Sequence, residues 1–236
     1  MKPTLLLLHG ALGSPATLDP LAALLADDFT LHTLAFAGHG GRAVEAATFS
    51  LGHFADEVLE YLAARVAGPA HVFGYSMGGY AALLAASRAP ACFASISTLG
   101  TKLDWSAESA AAETRLLDPE KMLTKVPAFA ETLRRRHAPA DWADVLRATA
   151  ALMTAAGAVP PLPVEALAAL RVPVQVLVGD ADHTAASPAG LAMAARLPIG
   201  RVEVLANTPH PLERVKLAEL AARIRTFTQA YPILIA

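Results

Sequence analysis

Cysteine, charge and long apolar runs are all scarce in this sequence. The 236 residues include one cysteine, which excludes an internal disulfide, so the chain does not depend on an oxidising compartment. Charged residues make up only 17% and the net charge is −2, which provides no basic surface for nucleic acid or an anionic membrane. No apolar run reaches the ~18 residues of a membrane span. We therefore expect a globular cytoplasmic protein without nucleic-acid or membrane partners.

Apolar residues, in contrast, are abundant. They make up 54% of the chain, a proportion that is typical of a compact domain with a large buried core. The apolar run near the N-terminus ends at His9, which leaves it too short for the hydrophobic region of about 7–15 residues in a signal peptide. This run is therefore expected to be a buried strand.

Short apolar runs alternate with longer helical patterns along most of the chain. This order is typical of strand–helix units around a mostly parallel sheet. The predicted strands are Thr4–Leu8, Phe29–Leu34, His71–Gly74, Phe93–Thr98, Val172–Val178 and Arg201–Leu205. The predicted helices between and after them are Pro15–Ala26, Leu51–Val66, Met77–Ala89, Pro188–Leu197 and Pro211–Ala230.

Residues 101–170 break this alternation, because they contain helical patterns and no strand candidate. The helices predicted there are Glu108–Leu117, Pro119–Lys125, Pro127–Arg136 and Asp141–Ala156. Such a block is either a separate helical domain or a lid over the active site, and the sheet strands on both sides of it favour the lid. We therefore expect an α/β core at 1–100 and 171–236 with a helical lid at 101–170.

The clearest motif lies between a predicted strand and a predicted helix. The motif is G-x-S-x-G, in Phe73-Gly74-Tyr75-Ser76-Met77-Gly78-Gly79. The chain turns so sharply at the serine that glycine is required two residues before it and two residues after it. The turn exposes the Ser76 hydroxyl and aims the Met77 amide at the same point, where it stabilises negative charge. A glycine-rich turn without chemistry is the alternative, and the strand-then-helix order disfavours it.

Two further glycine motifs extend this pattern. His9-Gly10-Ala11-Leu12-Gly13 follows the first strand, and Gly38-His39-Gly40 follows the second. Together with the Ser76 motif they resemble the α/β-hydrolase superfamily, above all its small lidded members, such as carboxylesterases and the pimeloyl-carrier-protein methyl ester esterase. The resemblance covers the chain apart from the lid and implies an α/β fold with a sheet of about six strands. One departure is Ala35, where those families usually place an aspartate that is not catalytic.

The resemblance also implies how the site is completed. The backbone amide of Ala11 would be the second oxyanion donor beside that of Met77, and His9 and His39 would be structural. The order Ser…Asp…His of this fold makes Asp182 the triad acid, in Gly179-Asp180-Ala181-Asp182 after a buried strand, with Asp180 and Asp104 as alternatives.

The catalytic base is expected after the last strand, where His210 stands between two prolines. His183 adjoins Asp182, but one short turn can hardly present both the base and its acid. His53, His71 and His137 fall on helix, strand and lid patterns and are expected to be ordinary structural side chains. The histidines form no metal-binding motif, so neither a metal nor another cofactor is expected.

These residues predict a serine esterase. His210 would deprotonate Ser76, Asp182 would orient His210, and a small-molecule carboxylic ester would be the substrate. A thioesterase, C–C hydrolase or lyase on the same scaffold is an alternative, as is a ligand receptor with vestigial hydrolysis. An acyl-carrier protein is the less favoured partner.

The lid pattern gives fewer indications of substrate. Trp105, Phe129, Trp142 and Met153 are the candidate pocket residues, although core packing explains each nearly as well. The run 134–136 is Arg-Arg-Arg, and three consecutive helical residues fan out over roughly 300°. Either these arginines form a solvated helix end, or two of them flank the pocket mouth and attract an acidic substrate or an acyl-carrier protein.

Overall fold

The computed structural model describes residues 2–233, which form one sheet flanked by helices. Its strands are β1 Thr4–Leu8, β2 Thr30–Leu34, β3 Ala70–Tyr75, β4 Phe93–Leu99, β5 Val174–Ala181 and β6 Gly200–Pro209. Five helices belong to the sheet region: α1 Asp19–Leu25, α2 Leu51–Arg65, α3 Met77–Arg88, α9 Pro188–Ala194 and α10 Leu217–Ala230. The other five follow β4: α4 Ala107–Thr114, α5 Pro119–Lys125, α6 Pro127–His137, α7 Trp142–Ala158 and α8 Val164–Ala169. Within the described residues, no helix is long and apolar enough to cross a bilayer.

The six strands are all parallel and lie in the order β2-β1-β3-β4-β5-β6. The chain therefore moves from β1 to one side, then crosses to the other side at β3. At such a reversal the loops diverge toward opposite faces and leave a crevice at the carboxyl ends of the strands. Leu8 pairs with Gly74, so the loops that follow β1 and β3 open into the same crevice.

Alternate residues of each strand enter different layers of the core. In β1, Leu6 and Leu8 pack with α2 and α3 on one face, while Leu5 and Leu7 pack with α1 and α10 on the other. All four leucines are fully buried, as expected for a central strand with helices on both sides. This packing fixes the position of the strand ends, on which the candidate site is built.

The sequence predictions for the sheet are confirmed, with shifts at some element ends. The segment predicted as one helix from Pro15 to Ala26 begins with a 3₁₀ turn, Pro15–Leu18, before α1. The last predicted helix likewise divides into a 3₁₀ turn, Leu212–Arg214, and α10. Strand β6 continues to Pro209, four residues beyond the predicted end.

Residues 101–170, called the insert below, contain only helices and loops. Asp118 caps the N-terminus of helix α5, where its carboxylate accepts hydrogen bonds from the amides of Glu120 and Lys121. The short helix α8 was not predicted. One group of insert side chains packs on itself: Met122, Ala130, Leu133, Trp142 and Leu146. A second group, Val145, Leu152 and Ala156 of α7, belongs to the same cluster as α2 and α3, so the insert and the sheet share part of one core.

Candidate active site

Ser76 connects β3 to α3 in a conformation that few side chains adopt. Its φ is +51° and its ψ is −116°, although it is not glycine. A sparsely populated backbone conformation of this kind costs about 1–3 kcal/mol, so neighbouring contacts must hold it. The Ser76 amide donates to the Leu99 carbonyl at 2.8 Å, and Thr101 Oγ1 donates to the Ser76 carbonyl at 3.0 Å. Strain of this kind is concentrated at functional sites.

The glycines around Ser76 allow the backbone to approach itself closely. A Cβ atom on Gly74 would lie 2.4 Å from Gly79 Cα, and one on Gly78 would lie 2.6 Å from the carbonyl oxygens of Leu8 and His9. Both distances are far inside van der Waals contact. These two glycines therefore let α3 begin directly against β1 and β3, with its N-terminal amides at the crevice.

His210 follows β6 directly. Strand β6 stays paired with β5 beyond Asn207, whose φ is +53°, because the pairing register shifts between Gly179 and Ala181 of β5. The Tyr75 hydroxyl donates to the His210 carbonyl at 2.8 Å and so ties this end of β6 to β3. Burial raises the pKa of Tyr75 above its ordinary value, which keeps the hydroxyl protonated as a donor. Sequence reasoning missed Tyr75, although it adjoins Ser76.

Ser76, His210 and Asp182 come together at the carboxyl ends of three strands. Ser76 Oγ lies 3.2 Å from His210 Nε2, and His210 Nδ1 donates to Asp182 Oδ2 at 2.8 Å. Asp182 is 2% exposed, and its other oxygen accepts the amides of Thr184 and Ala185, each at 2.9 Å. Burial raises the pKa of Asp182, but the hydrogen bonds from His210 and from these two amides together lower it by more. The net pKa is therefore below the usual value. The carboxylate is therefore ionised beside the imidazole.

The alternative acids and base are bonded elsewhere. Asp180 is exposed and accepts the Thr208 amide at 3.2 Å; the hydrogen bonds from the backbone lower its pKa. Asp104 accepts a hydrogen bond from the Ser187 hydroxyl at 2.6 Å and forms a salt bridge with Lys102 at 3.3 Å. His183 is exposed, whereas its neighbour Asp182 is buried. The structure thus brings only Asp182, of these acids, to His210.

Of the two predicted oxyanion residues, one directly follows Ser76 and the other lies in the turn after the neighbouring strand β1. Met77 is the first residue of α3, where amides have no acceptor within the helix and the helix dipole is positive. Ala11 lies in the turn after β1. His9 is fully buried, donates through Nδ1 to the Gly10 carbonyl at 2.8 Å and accepts the Phe36 amide at Nε2. Burial lowers the pKa of His9 to about 4, so it is a neutral brace at neutral pH.

A cavity of about 280 Å³ opens beside Ser76 and His210. The predicted pocket residues Trp105, Phe129 and Met153 line it, and Phe129 is 42% exposed at the surface. Trp142 does not line this cavity. It packs inside the insert, because its face of α7 points to α5 and α6. Leu152, which the sequence reasoning missed, lies on the cavity wall.

Charged side chains also line the cavity. Lys102, which is 9% exposed, stands near the Trp105 ring, and Glu113, Arg136 and Glu213 complete the charged set. Of the three consecutive arginines, Arg136 is the one in the lining. Arg134 and Arg135 are exposed and paired with Glu131.

Within residues 2–233, no three or more histidine, cysteine, aspartate or glutamate side chains are grouped so that they could hold a metal ion. The serine, histidine and aspartate at the site have the arrangement that a nucleophile, a base and an acid orienting that base would need. Backbone amides at the same crevice are available to an oxyanion.

Comparisons with known proteins agree with this architecture. A family model described as the alpha/beta hydrolase family matches residues 5–222. No curated protein sequence matches the chain. Among solved structures, an E-2-(acetamidomethylene)succinate hydrolase is 21% identical, with a TM-score of 0.76 over 97% of this chain and 92% of that one. A thermophilic esterase from Thermogutta terrifontis is 20% identical, with a TM-score of 0.76 over 98% and 92%. A bacterial membrane phospholipase A is 23% identical, with a TM-score of 0.79 over 98% and 79%. At these identities the shared feature is the fold.

Proposed function

Since this chain belongs to the alpha/beta hydrolase family, we propose that it is a serine hydrolase that cleaves carboxylic esters through an acyl-enzyme on Ser76. The observation that carries the proposal is the hydrogen-bonded series from Ser76 through His210 to Asp182, with contacts of 3.2 and 2.8 Å. An ordinary structural histidine would not require a strained serine beside it. The conformation of Ser76 therefore supports a catalytic role for the series.

Acylation begins with proton transfer from Ser76 Oγ to His210 Nε2. The oxygen attacks the ester carbonyl carbon, and the amides of Ala11 and Met77 donate to the oxyanion that forms. His210 then protonates the departing alcohol, and the acyl group remains on Ser76.

Deacylation uses the same groups with water as the nucleophile. His210 removes a proton from water, the water oxygen attacks the acyl carbon, and Ser76 leaves with the proton returned by His210. Asp182 stays ionised, holds the imidazole with its proton on Nδ1 and stabilises the imidazolium. The reaction needs no cofactor.

The insert acts as a lid over this site in our proposal. The cavity receives apolar surface from Trp105, Phe129, Leu152 and Met153. Its volume of about 280 Å³ is just below the usual range of ligand pockets, about 300–1,000 Å³. The size and the apolar lining favour a small-molecule ester over a bulky one. The share of the main core contributed by α7 favours a lid over an independent helical domain.

Active-site labelling tests the nucleophile. A fluorophosphonate should label the wild-type protein on Ser76 and leave Ser76→Ala unlabelled, because the reagent traps the activated serine. Ser76→Ala and His210→Ala should each lower ester kcat by about 10⁴-fold or more, and the double variant should be little worse, because the triad acts as a unit. Labelling that persists in Ser76→Ala would rule out this nucleophile.

A substrate panel separates the related activities. p-Nitrophenyl esters of rising chain length, methyl esters and thioesters should be turned over repeatedly, with the oxygen esters preferred. Preference for a thioester would replace the esterase proposal with a thioesterase. A single turnover with retained product would instead indicate a ligand receptor that has kept the triad.

A further inference from the structure

The turn Gly10–Gly13, which follows β1, is strained in the middle. The Gly13 amide donates to the Gly10 carbonyl at 3.0 Å, and Leu12, the third residue of the turn, has a φ of +59°. Positive φ at this position is typical of a type II turn, which favours glycine or asparagine there. A leucine in this conformation needs contacts from outside the turn to hold it.

The insert provides those contacts. Arg136 Nη1 donates to the Leu12 carbonyl at 2.8 Å, and His137 Nε2 lies 3.1 Å from the same oxygen. The Gly40 amide donates to His137 Nδ1 at 3.3 Å, which requires the proton of the neutral ring to be on Nε2, where it donates to Leu12. The Arg136 side chain is only 16% exposed and His137 is fully buried, so water does not compete freely for either bond.

Two peptide planes connect the Leu12 carbonyl to the Ala11 amide. The Leu12–Gly13 peptide contains both the held carbonyl and the amide that donates to Gly10. The Gly10–Ala11 peptide contains the accepting carbonyl and the Ala11 amide, which point in opposite directions because a trans peptide is planar. His9 donates to the same Gly10 carbonyl at 2.8 Å. Holding the Leu12 carbonyl therefore helps, together with His9, to fix the direction of the Ala11 amide.

We propose that Arg136 and His137 are positioning residues that keep the Ala11 amide aimed at the oxyanion. The proposal rests on the proposed function, since that function gives the Ala11 amide its role. Helix α6 then influences the rate of acyl transfer as well as the shape of the cavity. Without its donors, Leu12 is expected to relax toward negative φ and to turn the Ala11 amide away.

Arg136→Met tests this link, because methionine keeps an apolar stem and removes the donors. The probes are a p-nitrophenyl ester and the matching thionoester, which puts sulfur, a weak hydrogen-bond acceptor, where the oxyanion forms. Removing an oxyanion donor costs about 10²–10³ in kcat, so we expect misdirecting one to cost about tenfold or more on the oxygen ester. The loss should be much smaller on the thionoester, with KM little changed for both.

Arg134→Met is the matched control, since Arg134 is on the same helix but is exposed and paired with Glu131. It should leave both substrates at wild-type rates. Leu12→Gly should rescue Arg136→Met, because glycine adopts positive φ without strain and no longer needs the two donors. Most of the lost oxygen-ester kcat should return in the double variant.

Equal losses on the two substrates, or no loss, would overturn the positioning role of Arg136. So would a failed rescue in a double variant whose circular dichroism and melting temperature match those of Arg136→Met. Fluorophosphonate labelling of the same proteins keeps this test separate from the proposed function. An unlabelled wild type, or a labelled Ser76→Ala, overturns the nucleophile assignment and with it this inference, whereas normal labelling leaves the kinetics to decide on Arg136 alone.

Discussion

The carboxyl ends of the strands, which form one edge of the sheet (the sheet edge), and the insert build one cavity by different means. At the sheet edge the backbone sets the geometry: Ser76 has a strained φ of +51°, Asp182 accepts two amides, and His210 is held through its own carbonyl. In the insert, side chains such as Trp105 and Met153 reach the cavity from helices. We therefore expect the proposed chemistry to depend on strand ends and the selectivity to depend on helix faces. Substitutions in the two regions should therefore have different consequences.

Among the substitutions that compare the sheet edge with the insert, the largest effect is expected for the acid at the sheet edge. Asp182→Asn should lower ester kcat by about 10⁴-fold. An amide at this position stabilises the wrong tautomer of His210 and cannot stabilise the positive charge of the imidazolium. Steady-state kinetics on a p-nitrophenyl ester measures the loss.

Asp180→Asn is the matched control, two residues away on the same strand end. Asp180 is exposed and bonds the Thr208 amide, so its variant should stay close to wild type. The reverse ranking of the two variants would transfer the acid role to Asp180.

The sheet edge was predicted well because its patterns are local. Six apolar runs predicted the strands, and the glycines around Ser76 predicted the turn before α3. The end of β6 was less predictable, because its pairing continues through Asn207, and that depends on a register shift in the neighbouring strand. The contact from Tyr75 to the His210 carbonyl joins residues that are 135 positions apart, which no local pattern shows.

The insert was predicted less well because a helical pattern does not say which face turns inward. Trp142 and Met153 are both apolar residues of α7, yet one packs within the insert and the other lines the cavity. The arginine run has the same ambiguity, and only Arg136 lies in the cavity lining. The partner of Arg136, the Leu12 carbonyl, lies 124 residues earlier and could not be inferred from spacing.

Acid should lower the free energy of unfolding through His71, a buried residue of β3. Its Nδ1 lies 2.8 Å from Ser95 Oγ, and burial lowers its pKa from 6.5 to about 4. Between these values the unfolded chain binds the proton and the folded protein does not, so the free energy of unfolding falls as the pH drops. From pH 7 to pH 4.5, His71 should account for a loss of about 2–3 kcal/mol.

His71→Asn should remove that part of the loss, since asparagine can still bond Ser95 but does not titrate. Urea unfolding of both proteins at the two pH values gives the comparison. The other buried histidines remain in both proteins, so their contributions cancel. Parallel losses in wild type and variant would show that His71 is not the group responsible.

Substitutions in the insert should change the substrate selectivity and leave the chemistry at the sheet edge intact. Met153→Ala enlarges the cavity and should favour acyl chains that are one or two carbons longer, by about fourfold in kcat/KM for each buried methylene. The panel of p-nitrophenyl esters measures this shift. Trp142→Phe is the control, because Trp142 packs away from the cavity and its variant should keep the wild-type profile. An unchanged profile in Met153→Ala would contradict the lid assignment.

The smallest effect is expected for the outer arginines of α6. Arg134 and Arg135 are about 70% exposed, with side-chain values of 68% and 73%, and both are paired with Glu131. Exposed charges act mainly on the encounter with a charged substrate, and salt screens them over about 10 Å. The double variant Arg134→Ala/Arg135→Ala should therefore change kcat/KM by no more than about twofold at low salt.

The comparison needs a neutral ester and a dicarboxylate half-ester, each at low and high salt. A large loss that is confined to the half-ester and disappears at high salt would show that the insert attracts acidic substrates through its outer surface. Equal behaviour of both substrates would leave Arg136, inside the cavity, as the only arginine of the run with a part in the reaction.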